Sequence, residues 1–420
     1  MLERDDPQYA EAVARMAELR RRTRQLLWSV RSHWARRTYE YRSWRAMGLP
    51  LHVHRLTRVL RDARQALSAF GREVLDEHRV SRGRQMRAMI GLFLRWGLDP
   101  VEYYAYHLYR PERSHLAPLY LSDPTNGEVL VAAMSARNPQ RTKPEFHQRC
   151  VAAGLPTIPI LAECSVTGTA PVLHDPDSPA WGGDLFTKPA SSGEGRGARM
   201  WIRREGGGWS DGDAVAGNRD ELLAILAASE DHADWIVQPR LLTHPDFADL
   251  TTGALSTARL VTYRDPTSGS VEILFAAVKL PCGGVGDNIA LGGVAAPVDL
   301  DTGRLRAARP RDVPGRRTPF LDQHPVTGAR VTDRLVPDWP AFASLARKVH
   351  GEVFPENATG GWDIAITGSG PTLVEANDIW GGCPLVQVAD DRPIGLTTYP
   401  GVMLKYLKAA QARRALERRF

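Results

Sequence analysis

The segment from Gly361 to Asn377 constrains this chain more than any other. It reads as two β-strands joined by a Gly-rich turn, with Asp363 on the first strand and Glu375 and Asn377 on the second. Residues two apart on a strand share a face, so Glu375 and Asn377 project together. Hairpin pairing can bring Asp363 onto the same face. Two carboxylates and an amide oxygen form a hard, all-oxygen cluster suited to Mg²⁺, which takes one or two protein carboxylates and completes its octahedron with water and nucleotide phosphates. A surface hairpin with polar residues about its turn is the competing reading, and the residues upstream bear on the choice.

With 420 residues the chain has room for two or three domains. No run approaches the roughly 18 apolar residues that span a bilayer, and Met1 to Asp6 is polar with no apolar segment behind it. Cys150, Cys164, Cys282 and Cys383 are scattered without a CxxC pair or His spacing. That pattern excludes a zinc site or disulfide framework and fits a reducing cytoplasm.

The positive charge is uneven. Residues 1–90 hold twenty arginines and no lysine against ten carboxylates, a net of +10. The whole chain is +6, which leaves −4 for residues 91–420. Met16, Leu19, Leu26, Leu27, Val30 and Trp34 recur at helical steps. Arg20, Arg21, Arg22, Arg24, Arg31, Arg36 and Arg37 occupy much of the remainder. A second helix is expected over Leu51–His78. Such a basic helix is either a solvated face or a surface for an anionic partner. No nucleic-acid-binding motif accompanies it.

From about residue 137 the texture changes to strands and short helices. A helix is expected from Lys143, with Gly154 at its C-terminal cap and Pro156 beyond, followed by a strand over Thr157–Leu161. Asp184 to Gly197 reads as a strand ending in Lys188, then a loop containing Ser191, Ser192, Gly193 and Gly195. Glycines let backbone N–H groups approach phosphate oxygens, and a lysine adds a point charge. The loop has neither the GxxxxGK[ST] nor the GxGxxG order, and a plain hairpin turn also accounts for it. Trp235–Leu242 reads as an apolar strand, and Ser256–Arg264 and Glu272–Leu280 as neighbouring strands. Arg259 and Lys279 interrupt β-prone runs, where a buried cation needs an anion such as phosphate. Gly283–Gly293 is a second Gly-rich loop, carrying Asp287 and Asn288.

This order resembles the ATP-grasp superfamily, and within it the sugar-transfer-associated ATP-grasp family. The resemblance spans roughly residues 90–400. It is carried by Gln238, His244-Pro245, Ser256 to Thr262, Asp287-Asn288 with Gly292-Gly293, His324 to Gly328, Gly361 to Asp363, Gly370-Pro371, and Glu375 to Asn377. The resemblance implies an α+β fold in which two subdomains with antiparallel sheets clamp ATP, preceded by an Arg-rich helical region. The implied division is 1–90 basic helical region, 91–137 linker, 138–235 first subdomain and 236–420 second subdomain with the Mg²⁺ site. Lys143 and Lys188 would hold the α- and β-phosphates, and the loop Ser191–Gly197 would close over the β- and γ-phosphates. Gln238 and the backbone near Val237 to Arg240 would take the hinge position against adenine, although the wider superfamily has a carboxylate at the start of this hinge. Arg259, Lys279 and Asn288 would neutralise the γ-phosphate and an acyl phosphate. Asp363, Glu375 and Asn377 would bind Mg²⁺, with Mn²⁺ as a substitute.

The chemistry implied is ATP-dependent ligation of a small-molecule carboxylate to an amine, through an acyl phosphate and with release of ADP. The substrates are read as anionic or sugar-linked. The same fold phosphorylates other acceptors or forms thioesters, and a non-catalytic nucleotide-binding role is the alternative of a different class. His107, His324 and His350 read as structural or substrate-side residues, and the aromatic run Tyr103–Tyr109 as core packing or the rim of an acidic substrate's entrance. Trp380 to Pro384 is expected to edge the acceptor pocket.

Overall fold

A computed structural model describes residues 3–30, 51–133, 142–165, 170–191, 197–229, 234–287, 292–310, 320–377, 380, 387 and 391–417. Helices come first: α1 (Pro7–Val30), α2 (Leu51–His78), α3 (Arg82–Trp96), α4 (Pro100–Ala105) and α5 (Asp123–Ala133). In α1 the buried positions Ala12, Met16, Leu19, Thr23 and Leu26 fall at alternating four- and three-residue steps. In α2 they are Val59, Ala63, Ala66, Phe70 and Val74. Each seam therefore lies on one helix face. The two seams meet in a shared core with Met89 of α3, Tyr103 and Tyr104 of α4, and Val129 and Leu130 of α5.

The arginines of α1 are only partly a solvated face. Arg20 is buried and donates to the carbonyls of Pro118 (2.7 Å) and Tyr120 (2.6 Å), where it satisfies backbone acceptors that lack helical partners. Arg21 and Arg22 both bond Glu18. Arg31, Trp34, Arg36 and Arg37 lie outside the described residues, as do the side chains of Leu27 and Val30.

Helix α6 (Lys143–Ala152) opens the sheet region. Thr142 Oγ1 caps it by accepting from the Glu145 N–H (3.4 Å). It ends at Gly154, whose φ of +66° favours glycine. Seven strands follow: β1 (Ala162–Cys164), β2 (Val172–Leu173), β3 (Leu185–Pro189), β4 (Arg199–Arg203), β5 (Trp209–Ser210), β6 (Val215–Ala216) and β7 (Trp235–Pro239). They form one antiparallel sheet in the order β2-β1-β7-β3-β4-β5-β6. Helix α7 (Arg219–Ala227) covers one face, packing Leu222, Leu223 and Leu226 against Leu185, Trp201 and Val237.

The second sheet contains β8 (Thr257–Arg264), β9 (Val271–Leu280), β10 (Val294–Pro297), β11 (Arg309–Pro310), β12 (Thr359–Thr367) and β13 (Gly370–Asn377). It is also antiparallel, in the order β11-β10-β9-β8-β12-β13. Helix α8 (Trp339–Lys348) runs into a π-helical turn at Val349–Val353. Phe342, Leu345 and Val349 of this stretch pack with Phe146 of α6 on Leu260, Val278, Trp362, Ile364 and Ile366. The expected strands at 256–264 and 272–280 correspond to β8 and β9, each within one residue.

The stretch 157–161 is not a strand. Thr157 bridges Leu373 of β13, and Leu161 N–H donates to the Val237 carbonyl of β7 at 2.8 Å. The segment bonds one sheet and then the other, so no continuous ladder forms.

Helix α9 (Tyr399–Glu417) returns to the helical layer, placing Tyr399, Met403 and Leu407 in its core. That core also takes in Val261 and Phe275 of the second sheet together with Trp380. Trp380 is 1% exposed, stands edge-on to Tyr399 (5.8 Å between centroids) and donates from Nε1 to Thr359 Oγ1 at 3.2 Å. Its side chain is thus a wedge between layers, which corrects its assignment to an open pocket. The residues 381–386 lie outside the described set.

Trp380→Ala should therefore lower the unfolding free energy by about 3–5 kcal/mol, read from the midpoint of urea denaturation at unchanged slope. A loss below about 1 kcal/mol would show that the wedge does not couple the layers.

Candidate active site

The second sheet presents an apolar face to its helices and a polar face on the opposite side. Strand alternation puts Trp362, Ile364 and Ile366 on the first and Gly361, Asp363 and Ala365 on the second. Register then assembles the polar cluster. Asp363 stands opposite Arg259 of β8 on one side and Glu375 of β13 on the other, and Thr257 stands opposite Lys279 of β9. A bulge falls between Asp363 and Ile364, so that Glu375 pairs Asp363 while Leu373 pairs Ile364 and enters the core. Without that extra residue one of the two would face the wrong side.

Asp363 is 2% exposed. Arg259 grips it with a fork, Nε to Oδ1 and Nη2 to Oδ2 at 2.9 Å, and Lys279 Nζ donates to Oδ2 at 3.1 Å. Burial by itself would raise the carboxyl's pKa. The Arg259 and Lys279 cations outweigh burial and hold it well below the usual range. Lys279 also approaches Asp287 Oδ1 at 3.5 Å, and Thr257 Oγ1 donates to Asp287 Oδ2. Burial pushes the Asp287 carboxyl up, against the pull of Lys279. The Lys279 and Arg259 pKa values both lie above normal, because the neighbouring carboxylates overcome desolvation. Asn377 turns its Nδ2 to the Gly361 carbonyl (3.5 Å), which leaves Oδ1 for another partner. At Gly361 a Cβ would come within 2.7 Å of Trp380 Cβ and 3.4 Å of Arg259 Cδ, so glycine is what lets these side chains close in.

The first sheet contributes the remaining cations. Lys143 N–H donates to the Ala190 carbonyl and its Nζ to the Pro189 carbonyl, both at 3.2 Å. These bonds tie the start of α6 to the end of β3. The side chain of Lys188 on β3 makes no hydrogen bond or ion pair among the described residues. Surrounding protein lowers its pKa to about 8, against the attraction of Glu375. Burial likewise lowers Lys143, again with Glu375 pulling the other way. Four cations, Lys143, Lys188, Arg259 and Lys279, thus share one electrostatic neighbourhood with three carboxylates, Asp287, Asp363 and Glu375. The excess is positive, so the cluster favours an added anion.

Lys188 pairs across the ladder with Ile236, and Phe186 with Gln238. These four side chains therefore line one face of the first sheet. Gln238 is buried, and its Nε2 donates to the Ile158 carbonyl (3.2 Å). Its Oε1 is also buried and has no partner among the described residues, an acceptor awaiting a donor. Val237 differs from expectation: its side chain lies in the core of the first sheet and its carbonyl is taken by Leu161. It offers this face neither group, because strand alternation turns it away.

Ser191 is exposed just after the β3 strand. Ser192, Gly193, Gly195 and Asn288 lie outside the described residues. Thr257 and Asp287 are contacts given no site role from the sequence, although Asp287 stands in the second Gly-rich loop and Thr257 precedes Arg259 by the strand period of two. Among the described residues no three His, Cys, Asp or Glu side chains are grouped to hold a metal ion. Asp363, Glu375 and Asn377 offer two carboxylates and an amide. His350 is buried between Thr262 Oγ1 (2.7 Å) and the Asn357 carbonyl (3.0 Å), and burial lowers its pKa to about 4. His324 accepts from the Val326 and Thr327 N–H groups and faces the Pro281 carbonyl. His107 contacts Tyr109 and Arg309. Each of the three is thus held by protein groups.

The depressed Lys188 pKa has a measurable consequence. As pH rises through about 8 its amine loses its proton, whereas an ordinary lysine does so above about 10. Site-resolved acetic anhydride labelling should show an inflection near pH 8 at Lys188. An inflection at Lys188 above about 10, the ordinary lysine range, would contradict the crowding described above.

The sequence model of the sugar-transfer associated ATP-grasp family matches residues 141–397, which contain both sheets. No curated protein matches the chain. Solved structures with a distant likeness include a D-alanine–D-alanine ligase from Bacillus anthracis complexed with ATP, at 9% identity and TM-score 0.37, covering 69% of this chain and 70% of that one. An L-amino acid ligase from Bacillus licheniformis is 12% identical with TM-score 0.34, covering 70% and 61%. The ATP-grasp ligase PsnB, complexed with a minimal precursor, Mg and ADP, is 13% identical with TM-score 0.33, covering 64% and 64%.

Proposed function

Because the chain belongs to the sugar-transfer associated ATP-grasp family, we propose that it is an ATP-dependent ligase joining a small-molecule carboxylate to an amine. Its fold is the ATP-grasp fold, two α+β subdomains with antiparallel sheets behind a helical N-terminal region. The observation that carries the reading is the net positive cluster of Lys143, Lys188, Arg259 and Lys279 about Asp287, Asp363 and Glu375.

In this reading Lys143 and Lys188 bind the α- and β-phosphates of ATP. Ser191, with Ser192, Gly193 and Gly195, covers the β- and γ-phosphates. The orphaned Gln238 Oε1 accepts from the adenine amino group, a fit between a buried acceptor and the one edge of adenine that donates. Phe186 and Ile236 flank the ring. Arg259 and Lys279, with Asn288, meet the γ-phosphate. Asp363, Glu375 and Asn377 suit Mg²⁺, since two carboxylates and an amide are the donor set this ion takes beside phosphate oxygens; Mn²⁺ would fit the same donors. Bound there, the ion would supply charge neutralisation at the phosphates.

A substrate carboxylate oxygen attacks the γ-phosphorus, the bond to the bridging oxygen breaks, and ADP leaves with an acyl phosphate formed. The amine nitrogen then attacks the acyl carbon, phosphate departs and the nitrogen loses its proton. A carboxylate is already a nucleophile, so in the phosphoryl transfer Arg259 and Lys279 act by positioning and by stabilising charge more than through a dedicated base, and in the second step the departing phosphate can take the amine proton.

The test is Mg²⁺-ATP turnover over a panel of carboxylates paired with amines, with ADP and AMP resolved. ADP formation should require both partners and fall about a hundredfold or more in Lys188→Ala and Glu375→Gln. AMP as product, or turnover indifferent to both substitutions, would overturn the assignment.

A further inference from the structure

The polar face of the second sheet does not end at Arg259. Ala277, the cross-strand neighbour of Arg259, is itself opposite Pro297, and both residues line a cavity of about 710 Å³. The sheet forms one wall of this cavity, including Phe275. The helical layer forms the other, through Arg15 of α1, Arg392 and the stretch Leu396–Thr398 that leads into α9. The cavity is thus an extension of the candidate active site along the same strands, roofed by helices outside the two sheets. Lys279 lies two residues along β9 from Ala277, a separation of about 7 Å. The volume falls within the range of small-molecule sites, roughly 300–1,000 Å³.

Three guanidinium groups line it: Arg15, Arg306 and Arg392. Two carboxylates also line it, Glu272 and Asp299, and Asp299 is drawn to Arg306 as well as to Thr302. Glu272 accepts from the Tyr263 hydroxyl at 2.9 Å. Asp299 Oδ1 accepts from the N–H and Oγ1 of Thr302 at 2.9 and 2.7 Å. Arg15 reaches Glu11 through Nη1, while its Nε is shut from water and has no partner among the described residues. The Arg392 Nη2 rests on the Leu396 carbonyl. A guanidinium group presents a planar fork that matches phosphate and carboxylate geometry.

We propose that this cleft binds the second substrate of the ligase reaction and that this substrate carries an anionic group, phosphate or carboxylate, which Arg15, Arg306 and Arg392 receive. The inference rests on the ligase reading for its order of events, since a molecule seated there would extend past Ala277 toward the phosphate-facing Arg259. It also explains the helical layer, which supplies two of the three arginines that the sheets lack.

Calorimetric titration of the full chain with glucose, glucose 6-phosphate and glucuronate, each with a non-hydrolysable ATP analogue already saturating, tests the proposal. One or both anions should bind and glucose should not; whichever anion binds names the recognised group. The double variant Arg15→Gln/Arg392→Gln should weaken that binding about tenfold or more while leaving affinity for the ATP analogue within about twofold. Glucose binding as tightly as the anions, no binding of either anion, or anion affinity unchanged in the double variant would overturn the proposal. ATP-analogue affinity is the separate readout for the ligase reading. Failure there with anion binding intact would reject the nucleotide chemistry and keep the cleft.

Discussion

A single buried carboxylate organises the chemistry of this protein. Asp363 sits in β12 at 2% exposure, gripped by Arg259 and Lys279. An isolated carboxylate so placed would lose its hydration and stay protonated. Two isolated cations would be equally costly. Together with Asp287, which also pairs Lys279, they neutralise one another, and one face of a sheet can then be polar inside the protein. The opposite face carries the hydrophobic load through Trp362, Ile364 and Leu260. Breaking a buried pair of this kind typically costs about 3–5 kcal/mol, so the arrangement is held by strong reciprocal constraints.

Everything else about the site is placed relative to that face. The segment 156–161 bonds β13 and then β7, and the Gln238 side chain bonds it in passing. This ties the Lys188 face of the first sheet to the Asp363 face of the second. The helical layer closes the far end, with Trp380 packed between Phe275 and Tyr399. The two sheets therefore define one electrostatic basin, Lys143 and Lys188 coming from the first and Arg259 and Lys279 with Asp287, Asp363 and Glu375 from the second.

Much of this was legible in the residues. Helix α2 follows its apolar steps from Leu51 to His78. Arg259 and Lys279 were recognisable as cations interrupting β-prone runs, and Asp363, Glu375 and Asn377 by a period of two about a Gly-rich turn. Other positions were not. Val237 and Gln238 are neighbours in an apolar strand, and only ladder register says which one faces the site. Arg20 reads as one more surface arginine, yet it is buried on the carbonyls of Pro118 and Tyr120. Trp380 follows the hairpin closely enough to suggest a pocket wall, but its neighbours Phe275 and Tyr399 arrive from other parts of the chain.

The sequence by itself determined the local elements, because side-chain periodicity, capping residues and glycine turns act over a few positions. It also determined which residue types were available to meet phosphate and metal. Tertiary structure alone decided which cation neutralises Asp363, that a bulge keeps Glu375 beside it while Leu373 enters the core, and that arginines from α1 and from the approach to α9 line the cleft next to the site. Desolvation and Coulomb energy depend on distances in space, and those distances are set by pairing between segments more than a hundred residues apart, Arg259 and Asp363 among them.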